Sequence, residues 1–167
     1  MDQALDLFGM PLSVQADVLI QRPGGRVDDR FEVVLHYPDV RVVLSAGMLI
    51  KEAGPHFVLH GDNGCFIKYG MDPQENRLKA DAAPQNDPDW GKDDPSLYGK
   101  LYNSWQGMEM RSEIATDIGN YGNLFANVAA AIRKQAPLIV QPEQARNTVR
   151  IIELAMQSSN EGRTIRL

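Results

Sequence analysis

The last third of the chain, Gly119–Leu167, reads GNYGNLFANVAAAIRKQAPLIVQPEQARNTVRIIELAMQSSNEGRTIRL. Leu124, Val128, Ala131 and Ile132 fall on one stripe of a helix. Ala145, Val149, Ile152 and Met156 form the stripe of a second helix, with Ile151 and Ala155 widening the face. Pro142 suits the first helical turn, where its missing N–H is no loss, and Gly162 suits the left-handed residue after the last turn. A small strand pattern follows. Two apolar stripes of this width need something flat and apolar to cover, which predicts helices laid on the core face of a sheet.

The strands come from upstream. Met1–Phe8 is a helical fragment with Met1, Ala4, Leu5 and Phe8 on one side and Gly9 as its stop. Ser13–Arg22 alternates as a strand and is broken by Pro23-Gly24-Gly25. Arg30–Tyr37 is a second strand, Pro38-Asp39 a tight turn and Val40–Ile50 a third strand, so the spacing predicts an antiparallel meander. His56–His60 and Cys65–Tyr69 make a hairpin across Gly61-Asp62-Asn63-Gly64. Residues 71–103 carry Pro73, Pro84, Pro88 and Pro95 with many Asp and Asn and no apolar period, which reads as a long irregular loop. Ser104–Ile114 returns to alternation. The residues alone define an α+β domain.

The strand faces carry a further signal. In the second strand Phe31, Val33, Leu35 and Tyr37 form a core face, whereas Arg30, Glu32, Val34 and His36 mix charge with apolar surface. The third strand repeats this with Arg41, Val43, Ser45, Gly47 and Leu49, and Leu19 adds to it from the first. A sheet face turned wholly to water is cleaner than this. The mixture fits a face that meets a protein partner, with ordinary surface Val and Leu as the alternative.

Composition narrows the function classes. At 167 residues the chain has the length of one domain, and its hydrophobic share of 43% and charged share of 23% are those of an ordinary globular protein. A formal charge of −5 argues against nucleic acid or an anionic membrane as partner. The single cysteine, Cys65, points to a reducing compartment, and the absence of both an apolar span and a signal-peptide pattern makes the cytoplasm the expected location.

Few residues offer self-contained chemistry. His56 and His60 share a strand face but lie about 13 Å apart by the rise per residue, too far for one metal ion. The acidic run Asp87-Pro-Asp89-Trp90-Gly91-Lys-Asp93-Asp94 departs from a calcium loop: its glycine falls at the fifth position, and Tyr98 stands where a bidentate Glu belongs. It reads as a solvated loop, and no metal site is expected. Gly24-Gly25 and Gly119–Gly122 match neither a P-loop nor a dinucleotide fingerprint. Cys65 in a strand reads as a small hydrophobe.

Several phrases in order, MDQALDLFG, FVLHGDNGCFIKYGMDPQENRLKA, DPDWGKDDPSLYG and most of Gly119–Arg163, resemble the C-terminal domain of the glucose-fructose oxidoreductase/inositol dehydrogenase (Gfo/Idh/MocA) family. The resemblance covers nearly the whole chain. It implies a large, mostly antiparallel sheet with helices packed on one face and the other face open for homo-oligomerisation. It also implies a parent that uses NAD or NADP to oxidise or reduce a sugar, polyol or related hydroxy compound, through an N-terminal Rossmann domain. The dinucleotide fingerprint and the Glu-Lys-Pro segment of that family do not occur here. Of the family's Asp-x-x-x-His-x-x-Asp pattern only the final aspartate has a counterpart, Asp2. The resemblance therefore implies that residues 1–167 are a single substrate and oligomerisation domain, a fragment inactive alone, with no cofactor expected to bind it.

In that setting Asp2 is the candidate remnant of the catalytic pattern, or simply an acidic residue favoured by a helix N-terminus. Lys51 and Glu52, in the turn after the third strand, and Trp90, a ring suited to stacking on a sugar, are candidate substrate contacts. Each has plain loop surface as its alternative. Because a fold does not dictate function, a stand-alone binding or scaffold module remains the second reading of the whole chain.

Overall fold

The computed structural model describes all 167 residues, apart from the side chain of Asn86. The chain divides into two compact units, one made of Met1–Glu52 with Ile139–Leu167 and the other of Ala53–Leu138. Its class is α+β, and every strand pair is antiparallel, as the meander pattern and the family resemblance predict. The eight strands are arranged as two four-stranded sheets.

The first unit holds α1 (Asp2–Phe8), β1 (Ser13–Leu19), β2 (Arg30–His36), β3 (Arg41–Gly47), α4 (Pro142–Glu161) and β8 (Ile165–Arg166). Its sheet order is β3-β2-β1-β8. The register places Val14 opposite Leu35 and Leu35 opposite Val42, and likewise Ala16, Val33 and Leu44 in the next row. Because residues two apart share a face, these six side chains with Ile165 make one apolar surface. Ala4 of α1 and Ile151, Leu154 and Ala155 of α4 close over it. Burial of each large aliphatic side chain in such a core stabilises by roughly 1.5–3 kcal/mol.

The helix α4 has the caps its sequence predicts. Pro142 opens it, Gly162 follows it at φ 62° and ψ 31°, and Gln141 and Gln144 form a reciprocal capping box. The buried stripe, however, is Ile151, Leu154, Ala155 and Ser158, while Val149, Ile152 and Met156 are exposed. Both sets recur at helical spacing, centred about 140° apart, so periodicity alone does not choose between them. Ser158 makes the buried stripe look less apolar than it is. Its Oγ accepts from the Ala16 N–H at 3.0 Å and donates to the Arg163 carbonyl at 2.7 Å. The neighbouring Ser159 Oγ accepts from the Val18 N–H at 2.8 Å. Strand β8 is only two residues long, and these two hydroxyls serve the β1 edge beyond it, where amides would otherwise go unpaired.

The long β1–β2 connection is held by the buried Asp29. Its carboxylate accepts from the Gln21 N–H at 2.7 Å, the Arg22 N–H at 3.0 Å and the Arg22 guanidinium at 2.8 Å. The Gln21 amide foremost, then the Arg22 side chain, hold this carboxyl below the usual carboxylate range. On the sheet face opposite α4 lie Gln15, Asp17, Glu32, Val34, Val43 and Ser45, the mixed surface expected from the strand pattern.

The second unit holds β4 (Phe57–Gly61), β5 (Gly64–Lys68), α2 (Gln74–Lys79), β6 (Gly99–Trp105), β7 (Met108–Ile114) and α3 (Gly122–Ile132), with sheet order β4-β5-β6-β7. The expected irregular loop is shorter than 71–103. Strand β6 begins at Gly99, and two 3-10 turns, Pro84–Asn86 and Pro95–Leu97, punctuate the segment before it. The run Ser104–Ile114 is not one strand. Gln106 and Gly107 take φ 49° and 80°, the pair of positive angles that a two-residue hairpin turn requires, and they divide β6 from β7.

Helix α3 also departs from the expected cover. None of its residues is buried, and Leu124, Phe125, Val128 and Ile132 face outward, leaving Asn127 and Ala129–Ala131 as its half-buried side. Periodicity identifies which stripe of a helix is apolar; it does not say what covers it.

Candidate site on two preorganised segments

Asp2 stands in the first turn of α1, where a carboxylate is favoured by the helix dipole. The Thr148 hydroxyl of α4 donates to Asp2 Oδ1 at 3.0 Å and also to the Gln144 carbonyl at 3.2 Å. The first turn of α1 is thereby tied to the middle of α4. Lys51 and Glu52 are exposed in the link after β3 and enter no side-chain hydrogen bond or ion pair among the described residues. Met48, Leu49 and Ile50 before them are exposed as well, so this link presents an apolar stretch ending in a cation and an anion. No hydrogen bond or ion pair among the described residues joins Asp2 to Lys51 or Glu52.

Trp90 is differently placed. It is 8% exposed, its indole N–H donates to Gln74 Oε1 at 3.0 Å, and the Arg77 guanidinium lies 5.9 Å from the ring centroid. The ring is spent inside its own loop and has no open face for a sugar. Gln74, 1% exposed, is the hub of that loop. Its Oε1 also accepts from the Tyr121 N–H at 3.1 Å, and its Nε2 donates to both Asp72 oxygens. Gly91 meets Gly119 so closely that a Cβ on Gly91 would overlap the Gly119 carbonyl, and the Gly119 N–H donates to the Gly91 carbonyl at 3.2 Å. This is one place where glycine is required for close approach rather than for a turn.

The acidic run is solvated at Asp89, Lys92 and Asp94, as expected, but not at Asp93. Asp93, with 5% of its side chain exposed, accepts from Lys68 Nζ at 2.7 Å and from the Thr116 hydroxyl at 2.9 Å. Asp87 pairs with Arg77, Asp89 with Lys92, and Asp94 accepts from the Ser96 N–H. Each carboxylate is engaged by a cation or a backbone amide of the same unit. Among the described residues no cluster of three or more His, Cys, Asp or Glu side chains is disposed to hold a metal ion. Sequence reasoning missed Gln74, Lys68 and Thr116, because a lone Gln, Lys or Thr carries no periodic or spacing signal.

The Asp93 carboxyl is subject first to burial, which raises it, but Lys68, Thr116 and the Asp94 amide outweigh that and hold it below the usual range. A depressed carboxyl contributes stability that is present above its unfolded value, about 3.9, and is lost as pH falls through the folded value. On acidification below about pH 4, the 71–98 segment should loosen before global unfolding. In a Trp105→Phe background the remaining indole, Trp90, reports this as a fluorescence red shift. An Asp93→Asn variant should show the loosened signal already at neutral pH.

The residues do not fit a dinucleotide. Pyrophosphate sites of that kind form at the carboxyl ends of parallel strands, against a free helix N-terminus. Here every strand pair is antiparallel, the α4 N-terminus is closed by Gln141, Pro142 and Gln144, and the Asn120 side chain takes the Gly122 N–H at α3.

The family model described as the oxidoreductase family's C-terminal alpha/beta domain matches residues 1–167. The scyllo-inositol 2-dehydrogenase (NADP(+)) IolW of Bacillus subtilis is 41% identical over 167 residues, 99% of this chain and 46% of that protein. The uncharacterized oxidoreductase YdgJ of Escherichia coli is 35% identical over 99% of this chain and 47% of its own length. The solved structure of the putative oxidoreductase yvaA from Bacillus subtilis superposes with a TM-score of 0.95 at 40% identity, covering 99% of this chain and 48% of that one. The chain belongs to the Gfo/Idh/MocA oxidoreductase family, as its C-terminal α/β domain. It spans about half the length of the curated relatives it matches.

Proposed function

We propose that this domain supplies the substrate-side wall and the oligomer interface of an NAD(P)-dependent oxidoreductase acting on a sugar, polyol or related hydroxy compound. The observation that carries the reading is the match along the whole chain to an oxidoreductase C-terminal domain, with a scyllo-inositol dehydrogenase among the relatives. In the parent, the nicotinamide supplies hydride chemistry and binds outside these residues. Asp2, held by Thr148, and the Lys51-Glu52 link face the hydroxy compound, while Trp90 acts through the loop it anchors. Residues 1–167 function as one substrate and oligomerisation unit, located in the cytoplasm and forming homo-oligomers through an open sheet face. No described helix is long and apolar enough to cross a membrane.

The chain alone should be inactive and should not hold the cofactor. Calorimetric titration of the 167-residue chain with NADPH and with NADH should show no binding in the micromolar range, and no polyol-dependent NADPH formation. A micromolar dissociation constant for either nucleotide defeats the reading, because nothing in the geometry accounts for it.

A further inference from the structure

Thr148 lies at the edge of the buried stripe of α4, at helical spacing before Ile151 and Ala155, and is itself only half-buried. A valine has the same branched shape, so packing alone does not require a hydroxyl at this position. Toward the other end of the stripe the Ser158 hydroxyl serves the backbone, accepting from the Ala16 N–H. The Thr148 hydroxyl serves a side chain, donating to Asp2 Oδ1 at 3.0 Å.

This hydroxyl has one proton and two acceptors within reach. The alternative acceptor, the Gln144 carbonyl at 3.2 Å, is one turn earlier in α4 and already takes the amide of its own helical turn. Gln144 is held in turn by the capping box, its Oε1 accepting from the Gln141 N–H at 2.7 Å. The donor therefore stands on a fixed helix end that does not need its proton. Ala4, two residues beyond Asp2, is buried in the core and fixes the backbone of α1. What remains to be set at Asp2 is the rotation of its side chain, and Thr148 is the group placed to set it.

Two other carboxylates of the first and second units are spent on structure. Asp29 accepts from Gln21 and Arg22, and Asp93 from Lys68 and Thr116, both in buried positions. Asp2 is exposed, and among the described residues its carboxylate enters no hydrogen bond other than that from Thr148 and no ion pair, which leaves Oδ2 clear. A carboxylate is an acceptor only, and bonds from O–H donors to it are among the short, strong kinds. A hydroxy compound offers that donor.

We propose that Thr148 is a positioning residue, whose hydroxyl sets the rotation of the Asp2 carboxylate so that Oδ2 accepts from a hydroxyl group of the substrate. The proposal rests on the reading above that Asp2 faces the hydroxy compound, and it adds the residue that aims it.

Two measurements test it. In the 167-residue chain, the Hα–Hβ couplings of Asp2 should report one side-chain rotamer, Thr148→Val should average them, and Thr148→Ser should restore them. In the intact parent, assayed with glucose, sorbitol and myo-inositol, Thr148→Val should raise the KM for the compound turned over by about tenfold, the scale of one hydrogen bond to a charged group. The KM for the nicotinamide nucleotide should not move, and Thr148→Ser should recover most of the loss. In an Asp2→Ala background Thr148→Val should have no further effect, because a residue acting through Asp2 has nothing left to aim. A merely structural role would lower activity equally with and without Asp2. Averaged couplings in the wild-type chain, an unchanged KM in Thr148→Val, or additive effects of the two substitutions each overturn the proposal. If the parent turns over none of the three compounds, the substrate-side reading fails and the proposal falls with it. That failure is told apart by Asp2 couplings that still respond to Thr148→Val.

Discussion

Replacing Leu154 by alanine should lower the unfolding free energy by about 2–5 kcal/mol, measured by chemical denaturation of the 167-residue chain. Leu154 is 2% exposed and lies in the one apolar cluster of the first unit, with Val14, Leu35 and Ile165. Truncation removes buried methyl groups and leaves a cavity between a helix and a sheet that are held in place by other contacts. Those contacts include the Ser158 and Ser159 hydroxyls on β1, so α4 cannot slide to fill the gap without breaking them. Ile152→Ala, two residues away and so about 160° around the helix, should cost well under half as much, because that side chain is already exposed. Equal losses at 152 and 154 would contradict the assignment of the buried stripe.

Gln74→Leu should release the 71–98 segment. The substitution keeps approximate volume but removes the acceptor of two donors, the Trp90 indole N–H and the Tyr121 N–H. A buried donor left without a partner costs about 1–3 kcal/mol, so the pair, of which the Tyr121 N–H is only partly buried, amounts to roughly 2–6 kcal/mol at most against the closed loop. In the Trp105→Phe background, Trp90 emission should shift to longer wavelength, and the Tyr121 amide should exchange much faster. Denaturation of the first unit's core should change little by comparison. Unchanged Trp90 emission would show that the glycine contact and the Lys68–Asp93 pair hold the loop without Gln74.

These two variants mark where local pattern is informative and where it is not. The caps of α4 were legible because Pro142 and Gly162 act through their own backbone torsions and need no distant partner. The β4–β5 hairpin was legible for a similar reason, its turn chemistry being carried by four consecutive residues. The β6–β7 hairpin escaped notice although Gln106-Gly107 is a turn pair, because the alternation continues through it and conceals the reversal. Trp90 looked like an open stacking platform because the sequence shows an aromatic ring among polar residues. Gln74, sixteen positions earlier, turns that ring inward, and nothing in the spacing announces the contact.

For the candidate site the division is sharper. The family resemblance reached Asp2 by motif, but the Thr148 hydroxyl that holds it is 146 positions away. The acidic run was visible as charge. Its conversion into a set of ion pairs depended on Lys68, Arg77 and Thr116 arriving from β5, α2 and the segment after β7.

By itself, the amino-acid sequence determined the α+β class, the antiparallel meander, the ends of α4 and the family, since propensity, turn chemistry and ordered phrases are properties of contiguous residues. Only the tertiary structure decided which of two stripes on α4 is buried, that no residue of α3 is buried, and that Trp90 is enclosed while Trp105 is open. The physical reason is common to all three. Periodicity states that a side chain has an apolar neighbour available on one side, but burial is the outcome of competition among all surfaces for the same partner. That competition is settled by hydroxyls, amides and backbone contacts such as Ser158 on Ala16, Gln74 on Trp90 and Gly91 on Gly119.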